Sequence, residues 1–194
     1  MIRSLGFKGR FLLCFILVFI GCSKWNNRDV SKYYYSAPYN YTIIPERKLK
    51  WDDFKGKQVE GSSRTAKLYW KFYYTYDSAQ FYGEGLIEPN LKVFCAIYDI
   101  SWVKEDYKTP ELLNHEQGHF DIVKFHANEF KNKTELIKPL SRFNWKFRVD
   151  SVYNAIFTKC CVMNDKYEKQ TDYGHDKKRQ LIWDKKISGF LKKQ

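Results

Sequence analysis

The run Leu112-Leu113-Asn114-His115-Glu116-Gln117-Gly118-His119 sets two histidines four apart, with a glutamate directly after the first. On a helix this spacing puts both imidazoles on one face, about one turn apart. Both then reach a single Zn²⁺ at about 2.0–2.1 Å. Glu116 falls beside a water held at that metal and can take its proton as attack on a carbonyl begins. His115 and His119 are therefore candidate metal ligands, and Glu116 a candidate general base. The chain has four His in all, and this motif uses two of them. The leucines before the motif predict a helix seated in apolar surroundings, and Gly118 is read as leaving room beside the metal.

A catalytic zinc site needs a third protein ligand and one open position. His126 shares the face of His119 but lies about 10 Å further along the helix, and no glycine after His119 breaks the helix to bring it closer. Asp121 points to another face, which suits hydrogen bonding or packing. The remaining candidates are Glu168, Asp172 and His175, within Tyr167–His175. His175 is preferred, because imidazole is a good zinc ligand and histidine is scarce here. Glu168 comes next.

The elements that must carry these groups are legible in outline. Thr109-Pro110-Glu111 offers an N-cap, a proline at the first helical position and an early acid. The helix it opens should run to about Ile137, before Pro139. Further helices are expected over Trp145–Lys166 and Asp176–Leu191. Upstream, Lys67–Tyr76 alternates and is rich in β-favouring residues, and Leu91–Trp102 is a second strand-like run. Strands first and helices after predict an α+β fold: a small N-terminal antiparallel sheet followed by a helical half that carries the motif.

The N-terminus reads as an export signal. Met1–Arg10 holds Arg3, Lys8 and Arg10 and no acid; an apolar run follows over Phe11–Ile20. Ten residues give a helix of about 15 Å, short of a hydrocarbon core of about 30 Å. Phe19-Ile20-Gly21-Cys22 is similar to the lipobox of bacterial lipoproteins, in which the cysteine becomes the lipidated first residue. The expected organisation is a signal peptide over 1–21, a polar, Tyr-rich tether over 22–44 and a zincin-like metallopeptidase domain over 45–194. Cys22 would then tether the chain to a membrane without spanning it. No acidic run follows Cys22, so the simpler expectation is an outer-membrane anchor facing the periplasm. Cys95, Cys160 and Cys161 are expected as buried free thiols.

The formal net charge is +12, and losing Arg3, Lys8 and Arg10 with the signal would lower it to +9. The basic residues are scattered rather than blocked, which describes a solvated basic surface. No nucleic-acid-binding motif accompanies them, so no nucleic-acid partner is expected. A basic, aromatic-rich surface for anionic envelope glycans or lipid headgroups is a further, weaker reading. At 194 residues and 44% hydrophobic content the chain can bury a core of its own, and a monomer is expected.

Four stretches together resemble domain-of-unknown-function family 922, bacterial exported proteins described as secreted zinc-dependent proteases. They are Leu49–Gly56, Ser101–Val103, Leu112–Ile122 and Tyr167–Trp183, the last through Tyr167, Thr171, Gly174, Gln180 and Trp183. They span about residues 48–192 in the family's order. The resemblance implies a zinc peptidase acting on a peptide or protein substrate. The family pattern has a histidine just before the glycine, where this chain has Tyr173, with His175 two residues later. Tyr173 is accordingly a candidate oxyanion donor. The alternative is a non-catalytic envelope lipoprotein whose motif helix is structural or only binds metal.

Overall fold

A computed structural model describes residues 40–192, so the signal segment, Cys22 and most of the tether lie outside the described residues. The fold is α+β, with strands before helices. Strand β1 is Tyr41–Ile43, β2 Ala66–Lys67, β3 Trp70–Tyr82, β4 Leu86–Tyr98, β5 Trp102–Val103 and β6 Leu140–Ser141. The helices are α1 (Pro110–Leu136), α2 (Trp145–Gln170) and α3 (Lys177–Leu191). The main sheet runs β1-β4-β3, with β6 also pairing β4; β2 and β5 form a separate two-stranded ribbon. All pairings are antiparallel.

The alternation of β3 decides which face carries the core. Trp70 and Phe72 are buried on the helix side, where Phe72 meets Phe130 of α1 and Phe157 of α2 at ring separations of 6.2 and 5.8 Å. Lys71 and Tyr73 face away, and the Lys71 ammonium sits over the rings of Tyr41, Tyr73 and Tyr98. That cage ties β1 to β3. Tyr41–Ile43 therefore belongs to the sheet, pairing with Ala96–Tyr98, and the folded unit starts before the expected boundary at residue 45. Three residues are too few to show a strand's period in sequence.

Helix α1 starts where its capping residues dictate. Thr109 Oγ1 accepts a hydrogen bond from the Leu112 amide at 3.2 Å, and Pro110 holds the first helical position. Helix α1 has 27 residues and is about 40 Å long. Buried along it are Phe120, Ile122, Val123, Ala127 and Phe130. Helix α2 returns antiparallel and runs to Gln170, one turn beyond the expected end. Asp176 caps α3 by accepting from the Arg179 amide at 2.9 Å. Cys95, Cys160 and Cys161 form no disulfide among the described residues, and the latter two are buried in the core.

Candidate metal centre

Helix α1 presents His115, Glu116 and His119, and α2 presents Asn164, Tyr167 and Glu168 across from them. Glu168 Oε2 lies 3.1 Å from His115 Nε2 and 2.9 Å from His119 Nε2. The donor atoms of the three residues all fall within 4.8 Å of one another, the geometry of a group able to hold a metal ion. Their side chains are 3, 12 and 15% exposed, so they open only toward a cavity of about 540 Å³. Four-coordinate zinc with bonds of about 2.1 Å spaces its donors by about 3.4 Å. The two carboxylate–imidazole distances, 3.1 and 2.9 Å, lie within about half an ångström of that spacing.

The far nitrogens settle the tautomers. His115 Nδ1 bonds to Gln180 Oε1 at 3.0 Å, and His119 Nδ1 to Asn164 Oδ1 at 2.8 Å. Each amide is oriented by its own NH₂ group. Gln180 Nε2 donates to Tyr167 Oη and Asp184 Oδ1, and Asn164 Nδ2 donates to the Cys160 carbonyl. The amide oxygens thus face the rings, and both Nδ1 atoms must be donors. In the neutral imidazoles this turns both Nε2 lone pairs onto the Glu168 oxygen. Outer-sphere partners of this kind fix the orientation of metal-binding histidines.

Tyr167 is the wall behind the site. Its ring stacks on His115 at 5.0 Å and meets His119 edge-on at 4.7 Å. Its hydroxyl donates to the His115 carbonyl at 3.0 Å. A Cβ on Gly118 would collide with that hydroxyl and lie 2.7 Å from Cζ. The space that Gly118 leaves is therefore filled by Tyr167, and the expected room beside a metal is not its role. Gly174 is needed on the opposite side, at φ +86°, where a Cβ would lie 3.0 Å from His115 Cγ. It closes a turn in which Asp172 and Tyr173 also adopt left-handed backbone.

Of the residues expected as a third ligand, Glu168 joins the two histidines. His175 lines the same cavity but is not part of the group. The difference arises because α2 runs through Gln170, which puts Glu168 on a helix facing α1 and leaves His175 beyond the turn. Tyr173 lines the cavity half-exposed, with the Arg64 guanidinium 4.8 Å above its ring. Glu116 is buried on the same cavity wall, and its carboxylate takes part in none of the site's hydrogen bonds. Asp121 accepts from Gln117, and His126 is buried against the Ile122 carbonyl, so both are structural.

Arg64 was not foreseeable. It lies in the polar loop before β2, pairs with Glu168 Oε1 and lines the cavity. Gln180 enters the sequence reading only through the resemblance, with no role, and Asn164 not at all, although Asn164 and Glu168 share the i, i+4 spacing that links them. Burial disfavours charge on Glu168, but the imidazoles of His115 and His119, which donate through Nε2 only when protonated, and the Arg64 guanidinium outweigh it and hold the carboxyl far below its usual range. Burial likewise opposes charge on His115, yet Glu168 and the field of Glu116 raise its pKa. No family profile, no curated protein and no solved structure matches the chain.

Proposed function

We propose that this chain is a zinc metallohydrolase of peptide bonds, tethered in the bacterial envelope through lipid on Cys22. The observation that carries the reading is the convergence of His115 Nε2 and His119 Nε2 on Glu168 Oε2, with both tautomers fixed from behind. Two imidazoles and one carboxylate form a donor set suited to zinc and leave a coordination position open. Bound Zn²⁺ would supply a Lewis acid for the scissile carbonyl and make water acidic enough to attack near neutral pH.

The chain's own residues account for the rest. Glu116, adjoining His115 on the cavity wall, accepts the proton of the attacking water and returns it to the leaving amine. Arg64 holds Glu168 Oε1, which orients Oε2 toward the imidazoles. Tyr173 and Arg64 are the groups on the cavity wall suited to receive charge developing on the carbonyl oxygen.

The resemblance to family 922 supports this reading in that two of its stretches, Leu49–Gly56 and Tyr167–Trp183, reach α1. The Leu49 amide donates to Gln117 Oε1 at 2.7 Å, the Gly56 amide to the Ser101 carbonyl at 2.8 Å, and Gln180 orients His115. A second reading rests on the same cluster. With one imidazole protonated, Glu168, Arg64 and the histidines form an ion-pair network that joins α1 to α2 without metal. Metal analysis and peptide cleavage separate the two. Glu116→Gln should keep zinc and fold while losing about 10²–10⁴ in rate. Unchanged activity in that variant, or equal zinc loading in His115→Ala/His119→Ala, overturns the proposal.

A further inference from the structure

The four most exposed large apolar side chains among the described residues are Leu136 (83%), Phe143 (82%), Phe81 (74%) and Phe147 (74%). All four lie at one end of the molecule. Phe81 pairs with Ile87 near the tip of the β3–β4 hairpin, and Ile87 pairs with Leu140 of β6. A Cβ on Gly85 at that tip would be 3.8 Å from the ring of Phe143. Leu136 ends α1 and Phe147 lies in the first turn of α2, where Trp145 packs on Tyr76 at 4.8 Å. This end is remote from the metal centre: about 25 Å of α1 separates His119 from Leu136, and about 30 Å of α2 separates Phe147 from Glu168.

The same end carries cations without acidic partners. Residues 129–150 hold Lys131, Lys133, Lys138, Arg142, Lys146 and Arg148 against Glu129, Glu135 and Asp150, a net +3. The hairpin end carries Asp77, Glu84 and Glu88 against Lys92, which offsets part of it. Lys138 is engaged by Glu135 and Glu88, Lys133 by Glu129, Lys146 by Asp150 and Lys92 by Asp77, whereas Lys131, Arg142 and Arg148 form no ion pair among the described residues. A side chain three-quarters exposed makes little contact with its neighbours. The four apolar groups therefore project singly, between cations, instead of forming one dry face. Separate apolar tips among Lys and Arg suit the headgroup boundary of an anionic bilayer better than a protein partner, which needs contiguous area.

We propose that this end docks on an anionic phospholipid surface, inserting Leu136, Phe143, Phe147 and Phe81. The tether is long enough to permit it. Strand β1 starts at the cavity end of β4, opposite Tyr98, and β4 itself is about 40 Å long. Residues 23–40 can span about 60 Å when extended, so a chain held at Cys22 reaches the bilayer with its hairpin end down. This step rests on the lipidation reading; the docking surface does not. In that pose the cavity opens about 25–30 Å above the lipid, the length of helix between the two ends.

The test is photo-cross-linking of the full chain in phosphatidylcholine vesicles carrying a photoactivatable acyl chain, with and without phosphatidylglycerol. Lipid adducts should concentrate on peptides covering 81–86 and 136–148, increase with phosphatidylglycerol and disappear in Phe143→Ser/Phe147→Ser. Both side chains are exposed, so circular dichroism and zinc content should be unchanged in that variant. Adducts confined to the segment before residue 40, adducts spread evenly over the surface, or chain-to-chain links through these peptides in place of lipid would each overturn the proposal.

Discussion

Gly118→Ala gives a direct test of how the motif helix is built. The added methyl would meet the Tyr167 hydroxyl and lie 2.7 Å from Cζ and 3.2 Å from Cε1. Tyr167 cannot simply rotate away, because it is fully buried between His115 and Trp183. Overpacking of this kind costs about 1–3 kcal/mol. Displacing the hydroxyl also breaks its bond to the His115 carbonyl and leaves Gln180 Nε2 without one partner, adding about 1–3 kcal/mol. The expected loss is about 2–6 kcal/mol. At about 2–4 °C per kcal/mol for a chain of this size, Tm should fall by roughly 4–24 °C. Tyr167→Phe alone should lose only the hydrogen-bond part. The double variant should be less destabilised than the sum of the singles, by about 0.5–3 kcal/mol, since removing the hydroxyl removes part of the clash. Thermal unfolding of the four proteins in chelator measures this coupling without metal. Strict additivity, or a Gly118→Ala protein as stable as the parent, would falsify the assignment of Gly118 to Tyr167; lowered zinc affinity with no change in stability would return Gly118 to the metal.

The metal site gives three further expectations. Glu168→Ala should weaken zinc binding by more than the roughly 10–100-fold typical of losing an outer-sphere partner, and His175→Ala should leave it near the parent value; competition titration with a chromogenic chelator ranks them, and the reverse order would move the third ligand to His175. Asn164→Ala and Gln180→Ala should each weaken zinc by about 10–100-fold, since each frees one imidazole to turn. Without metal, stability should follow the charges of the cluster. The raised pKa of His115 contributes stability fully present below about pH 6.5 and lost as pH rises through the raised value. The depressed pKa of Glu168 contributes stability present above about pH 4.3 and lost as pH falls toward its folded-state value. The metal-free protein should therefore be most stable between these limits. On the proposed reading zinc displaces protons from imidazole, so the rise in Tm on adding zinc should grow with pH until the raised pKa of His115 is passed. A zinc-induced rise that shrinks from pH 6 to 8 would contradict the assignment of the histidines.

Where the sequence and the fold agree, a local rule is responsible. Thr109, Pro110 and Asp176 are helix-start residues whose effect needs no distant partner, and their helices begin where these residues place them. The α+β order follows from the same local patterns. The third member of the metal group required more. Glu168 is legible as an acid near the end of α2, but an end placed at Lys166 leaves it in a turn, where His175 is the preferred ligand. One more turn of helix decides between them, and its end is set by a tertiary contact, Tyr167 packed under His115, together with the local bond from Thr171 Oγ1 to the Tyr167 carbonyl. Arg64 stands 104 positions before Glu168 in a loop without periodicity. Only the folded chain brings them together.

The sharing of one carboxylate by two imidazoles and a guanidinium also bears on the order of assembly. Glu168 meets Arg64 through one oxygen and both imidazoles through the other, so the donors are already in register when α1 meets α2. Folding then need not wait for the ion, unlike a zinc finger, where folding and loading are one event. Metallation becomes a proton-for-metal exchange at a finished site. Its calorimetric heat should vary with the ionisation enthalpy of the buffer.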